Sequence, residues 1–449
     1  MKVIPSVRFI LCCLLIVFLC CFSFFGCTAR ENDLAQCSSR QIDGELLIYT
    51  TPDTDAFVRR GVLLLQTVQP SIQVHVETIA DRDDYLVRIE TETAAGAGPD
   101  VILLSLEDVD LEKVIRSGAF QPLDDLISND EEFNMEDFYP GIMEAGLVED
   151  VRYAIPLGFR VNALMTTKEQ MISQRFSLPE TFSGFCDQSI EFSNLYFEDV
   201  TQYFLSNEYG ALCFMIMGSG IHLVDYQNEG VLPDPEAFRE LLETYKGMYR
   251  TLLYREQEGV TYPNSINTGI YQGNIRYWEV ASGQFLDVAA WISDISTPVV
   301  CGMPSVDGDY AATIQLAASI NISSSNQGAA WEFIKILLSK NMQLYGMGEA
   351  ICIYQPVRRG MTSEYALSYG STIGAIITEN DGSRYTYHGI PAEVIESYEE
   401  ILTQASYVPF SWRVYEFVET DMKPFFENTA TYEACFLNLK NDLMLYIGE

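Results

Sequence analysis

The chain has 449 residues and 48% hydrophobic content, which excludes a disordered polypeptide and exceeds what one ordinary core accommodates. It carries 27 Lys and Arg against 63 Asp and Glu, a formal charge of -36. That balance excludes a nucleic-acid binder or a protein drawn to acidic membrane surfaces, because phosphate recognition needs clustered cations; the acidity reads as a solvated surface.

Residues 1–26 stand apart from the fold. Lys2 and Arg8 give a positive start, and 9–25 is apolar except for Ser23. Gly26 and Cys27 then meet a polar tail. This resembles a bacterial lipoprotein signal in which Cys27 becomes the lipidated first residue; Phe24 departs from the usual Leu, and an uncleaved anchor is the alternative. Residues 27–44 then form a tether. Of the 11 cysteines, four lie in the signal and one is Cys27. Cys37, Cys186, Cys213, Cys301, Cys352 and Cys435 remain, with no CxxC spacing, so neither a zinc site nor a thioredoxin-type site is indicated. Cys213, Cys301 and Cys352 sit in apolar runs and read as small hydrophobes.

In chain order, 45–50 (ELLIYT) reads as a strand, and the turn and cap residues TPDTD follow it. Phe57, Leu64, Leu65 and Val68 then fall at helical spacing. Residues 72–78 alternate as a second strand, 83–95 are helical, and 94–104 (AAGAGPDVILL) read as a helix end, a glycine turn and a buried strand. This β-α-β-α-β start predicts a parallel sheet with right-handed crossovers. A helix is expected at 111–118. In 151–166 two strand-like pieces are expected, broken by Pro156 and Gly158, where the chain crosses between lobes. Helices are expected at 198–205, 235–254, 327–339 and 432–446, and further crossings at 297–304 and 346–356.

Enzyme signatures are missing from the sequence. It has three His and no HExxH, GxSxG or P-loop. Paired carboxylates suit a glycosidase, but 63 acids create such pairs by chance.

The lipoprotein start, LLIYT, AAGAGPDVILL, GAFQPLDDLI, VRYAIPLGFRVNALM, SINISSSNQGAAWEFIKILLS and IYQPVRR occur in the order of a known family and cover most of the mature chain. Together they resemble the extracellular solute-binding proteins of ABC importers, of the carbohydrate type that includes the maltodextrin-binding protein. The resemblance implies an α/β clamshell of two lobes, each a mainly parallel sheet flanked by helices. Residues 45–157 and 303–345 would form the first lobe, and 158–302 and 346–449 the second. It also implies a monomer without cofactor or enzymatic activity, anchored to the membrane by lipid. Such a protein delivers a small-molecule ligand, a saccharide or related polar solute, to ABC permease subunits. A sensor or adhesin lipoprotein, or a binder of peptide, polyamine or ferric ion, is the alternative. Two departures bear on the ligand. The family often has Tyr-Asn-Lys where this chain has Thr166, Thr167 and Lys168. Arg160 matches an acidic residue of the maltodextrin-binding protein, which points to a ligand with an acidic group or to an internal salt bridge.

Sugar sites need aromatic faces and polar side chains for hydroxyls. Thr51 and Asp53 follow the first strand, and Glu107 and Asp108 the third, at carboxyl ends where α/β sheets bind ligands. Asp53 is also placed to cap a helix, and Asp100 to fix the glycine turn. Trp331 and Trp291 read as core. Trp278, with Tyr277 and Glu279 beside it, and Trp412 read as ligand-facing, with plain packing as the alternative.

Overall fold

The computed structural model describes residues 42–105, 110–199, 201–228, 230–259, 274–281, 284–293, 296–347, 355–370, 376–378, 384–386 and 389–448. Its main sheet is built from β1 (Gly44–Thr50), β2 (Ile72–Thr78), β3 (Val101–Ser105), β4 (Ala154–Thr167), β5 (Tyr203–Leu205), β6 (Ile275–Ala281), β7 (Pro298–Gly302), β8 (Tyr310–Ile320), β9 (Gln355–Pro356) and β10 (Ala405–Tyr407). The order is β2-β1-β3-β8-β4-β6-β5, with β7 and β9 also on β4 and β10 on β8. The first three strands run parallel, as the β-α-β-α-β pattern predicts.

The glycine turn before β3 forms as the sequence indicates. Gly96 and Gly98 have φ of 74° and 95°, values that side chains resist. Asp100 accepts from Leu47 N–H at 2.8 Å and from the Ser324 hydroxyl at 2.5 Å, fixing the turn to β1 and to the segment after β8. The helices Pro52–Val68 and Arg82–Ala94 follow β1 and β2. The first of them packs Gly61 so closely on Leu337 and Phe333 of the helix Gln327–Leu338 that a Cβ would meet the Leu337 side chain at 2.7 Å.

Two expectations fail on tertiary grounds. Pro156 and Gly158 do not break the strand; β4 runs unbroken for 14 residues. The β4–β8 register is irregular opposite them, passing over Gln315 in β8 and Leu157 in β4, and Gly158 takes β8 and β9 on its two sides. The expected helix at 198–205 is also absent. Tyr203–Leu205 is a strand because it pairs in parallel with Ile275 and Tyr277, a partner some 70 residues away.

β4 and β8 join the lobes. The first half of β4 pairs with β8, and the second half with β6 and β7. Two cores flank this crossing. One holds Leu46, Ile48, Leu103, Phe159, Phe333 and Leu337 and continues behind the crossing to Phe285, Trp291 and Tyr398. The other holds Phe185, Phe204, Met215, Leu241, Tyr277, Val418 and Leu439. Trp331 and Trp291 are buried, as their sequence settings indicate. Cys186 and Cys435 are buried and Cys213 and Cys301 half-buried, all as free thiols. Among the described residues no helix is long and apolar enough to cross a membrane.

Candidate functional site

The first lobe presents the carboxyl ends of its parallel strands. Thr51, 6% exposed, ends β1 and starts the helix Pro52–Val68; its N–H donates to Thr54 Oγ1 at 3.4 Å. Asp53 is exposed one turn on, 3.8 Å from Arg82, and does not cap the helix. Arg82 donates to Ser105 Oγ at 3.1 Å, at the end of β3. Thr51, Arg82 and Ser105, with Thr54, Tyr85, Leu86, Leu103 and Leu316, border a solvent-open depression that Asp53 does not line. Glu107 and Asp108 lie outside the described residues.

The second lobe presents the ends of β5 and β6 beside β4. Successive strand residues alternate faces, so Arg160 and Asn162 share one face of β4. Arg160 Nε donates to Asn162 Oδ1 at 3.2 Å, and Asn162 Nδ2 donates to the Phe214 carbonyl at 2.8 Å, which fixes the helix Ala211–Ser219 on this face. Glu279 stands opposite Leu164 in the register, and its N–H donates to Ser206 Oγ at 2.9 Å. Burial pushes the Glu279 carboxyl up to about 8; the Arg160 charge and a hydrogen bond from Asn207 N–H pull the other way. Its Oε1 is shielded from solvent and has no hydrogen-bond partner among the described residues. Cys213 lies close enough to feel both charges, and burial pushes its thiol up to about 12, so it is neutral at physiological pH.

The aromatic candidates take the following places. Tyr277 is 0% exposed, edge-on to Phe176 and Phe204, with its hydroxyl donating to Gln188 Oε1 at 2.8 Å. Trp278 points from the strand face opposite Glu279 and meets Trp291 edge-on at 6.1 Å, half-buried. Trp412 is half-buried between Phe410 and Tyr415, at 5.3 and 5.5 Å. The structure thus gathers Thr51, Asp53, Arg82 and Ser105 on one rim and Arg160, Asn162, Ser206 and Glu279 on the other.

Sequence reading missed Asn162, although its two-residue spacing from Arg160 marks a shared strand face. It also missed Arg82 and Ser206, for which no local signal exists. A further link joins the lobes: the Tyr226 hydroxyl donates to Asp110 Oδ2 at 2.7 Å, and Lys113 Nζ donates to the Tyr446 carbonyl at 2.8 Å. Among the described residues no group of three His, Cys, Asp or Glu is placed to hold a metal ion.

Two α/β lobes joined by crossing strands define a two-lobe protein of the clamshell class. Residues 66–364 match the bacterial extracellular solute-binding protein family, and the chain belongs to that family. Comparison with curated proteins gives no match. Among solved structures the chain is similar to the sugar-binding protein MalE of Xanthomonas citri, at 15% identity and TM-score 0.65 over 90% of this chain and 97% of that one. It is similar to a sugar transporter of Rhizobium etli in an open conformation, at 13% identity and TM-score 0.61 over 90% and 99% of the two chains. A cyclic alpha-maltosyl-1,6-maltose binding protein of Arthrobacter globiformis gives 13% identity and TM-score 0.60 over 91% and 99%. At such identities the likeness speaks for the fold.

Proposed function

We propose that this protein is a membrane-tethered, extracytoplasmic binding protein that delivers a saccharide or related polar solute to an ABC permease. The observation that carries the reading is the pair of polar rims, Thr51–Asp53–Arg82–Ser105 and Arg160–Asn162–Ser206–Glu279, on two lobes joined by β4 and β8. The sugar-binding neighbours support the solute class. A solute bridging both rims favours closure, and only a difference in affinity between open and closed forms shifts that balance. The protein binds and releases its solute without chemistry; the permease and its ATPase are other chains. Cys27 carries the lipid and residues 28–44 span from bilayer to fold.

A thermal-shift screen of the detergent-solubilised full chain against mono- and oligosaccharides, with peptide, polyamine and ferric ion as controls, tests the reading. A ligand at a hundred times its Kd adds about 2.7 kcal/mol of stability. Small-angle scattering should show compaction with the same ligand, and no reducing sugar should accumulate. Tight binding without compaction removes the clamshell mechanism, and stabilisation by a control compound alone removes the saccharide. Cys27→Ser should move the protein out of the membrane fraction; retention there rejects the lipid anchor.

A further inference from the structure

Acids outnumber bases more than twofold in this chain, so a half-buried cation should find a carboxylate. Arg255 is paired with Glu208, Lys335 with Asp130 and Glu332, Lys340 with Glu364 and Arg358 with Asp137. Arg152 and Arg276 are buried without a salt bridge among the described residues, but Arg152 donates to the Ala145 and Ala154 carbonyls and Arg276 donates to Gln174 and lies over the Phe176 and Phe192 rings; Arg160 has less. Its one hydrogen bond goes to the neutral amide of Asn162, and among the described residues no carboxylate forms a salt bridge with it. A guanidinium has five N–H donors, so most of its capacity is unspent.

The acid across the ladder does not pair with it. Glu279 lies across the β4–β6 ladder, close enough for its charge to be felt, yet the two form no ion pair. Burial pushes the Glu279 carboxyl up to about 8 and the Cys213 thiol on the facing helix up to about 12. Arg160 therefore lies, without an ionic partner among the described residues, beside a shielded Glu279 carboxyl oxygen that likewise has none there.

We propose that the solute carries a carboxylate, as in a uronic-acid saccharide, which Arg160 receives as its counter-ion while Glu279 hydrogen-bonds the adjoining ligand oxygen. This rests on the saccharide reading above and names its class. A guanidinium matches a carboxylate with two parallel hydrogen bonds, stronger than neutral ones. A phosphate fits less well, because its higher charge calls for further cations and this rim supplies Arg160 alone among the described residues.

The test is isothermal titration calorimetry on the detergent-solubilised full chain. The probes are di- and trigalacturonate and glucuronate-containing disaccharides, each beside its methyl ester, which keeps the shape and removes the charge, with maltose and galactobiose as neutral sugars. We expect an acidic probe to bind about 10- to 100-fold more tightly than its ester. Arg160→Met should bring acid affinity down to that of the ester and leave the ester unchanged, and Arg160→Lys should restore part of the loss. Equal affinity for acid and ester, tighter binding of a neutral sugar, or an equal effect of Arg160→Met on both probes overturns the acidic site and leaves the saccharide reading standing. Failure of every saccharide to bind overturns both.

Discussion

Two glutamate–arginine neighbourhoods sit side by side in the second lobe and serve opposite ends. Glu208 and Arg255, 3% and 5% exposed in their side chains, form a direct ion pair. Glu208 also accepts from Phe204 N–H at 2.8 Å, and Arg255 also donates to the Gln202 carbonyl and lies 4.3 Å over the Tyr203 ring. These contacts go to the segment that forms β5, so this pair is a staple. Glu279 and Arg160 lie one strand away, near enough that Glu208 raises the Glu279 pKa further, but they make no ion pair. Burying a charge is costly unless it is paired and hydrogen-bonded. The first neighbourhood meets that cost within the chain. The second leaves it partly unmet among the described residues, which is what the proposed acidic-ligand site rests on.

The largest expected effect breaks the staple. Glu208→Gln leaves Arg255 buried without its counter-ion and should cost about 3–5 kcal/mol in chemical denaturation. A loss below about 1 kcal/mol would make the pair an ordinary surface-like bridge and erase the contrast.

Trp278 tests which face of β6 serves the ligand. If its role is packing on Trp291, Trp278→Ala should lower stability by about 2 kcal/mol, below the ~3–5 kcal/mol of a fully buried tryptophan because the ring is half exposed. Solute affinity should change less than threefold. Unchanged stability with a large loss of affinity would return Trp278 to the site. Tyr226→Phe removes the hydrogen bond to Asp110 across the lobes. It should cost about 1 kcal/mol and enlarge the ligand-free radius of gyration in small-angle scattering; an unchanged radius would show that this contact does not bias the hinge.

Glu279 gives the comparison a pH dependence. Its folded pKa of about 8 stands above the usual carboxyl value of 4.5. The folded state therefore holds more protons than the unfolded state between those values, and stability falls as pH rises through that window. Glu279→Gln removes this contribution, so its Tm should fall less than that of the wild type from pH 5 to pH 8.5. Parallel profiles would mean that Glu279 is ionised throughout. The smallest effect is on Arg160. Arg160→Met should change ligand-free stability by less than about 0.5 kcal/mol or raise it slightly, since it removes a charge with no ionic partner. A loss as large as that of Glu208→Gln would make Arg160 a second staple.

Local pattern carried the start of the fold. The apolar runs of β1 and β3 and the alternation of β2 fixed three strands, and Asp100 with Gly96 and Gly98 fixed the turn between them, because backbone angles and strand periodicity are set within a few residues. The same logic placed Arg160 on a crossing strand and Trp331 and Trp291 in the core. It failed at Pro156 and Gly158, where bulges in β8 and in β4 itself keep the two strands paired, and at 203–205, where a distant partner overrides helical spacing. The site divides in the same way. That strand ends carry polar residues is written in the chain. Which of Tyr277, Trp278 and Glu279 faces Arg160 depends on the register of β6 against β4, and a shift of one residue reverses it. That Arg160 pairs with no acid among the described residues is settled only when strands and helices far apart in sequence take their places, because a charge's partners are chosen by distances of a few ångströms and not by order along the chain.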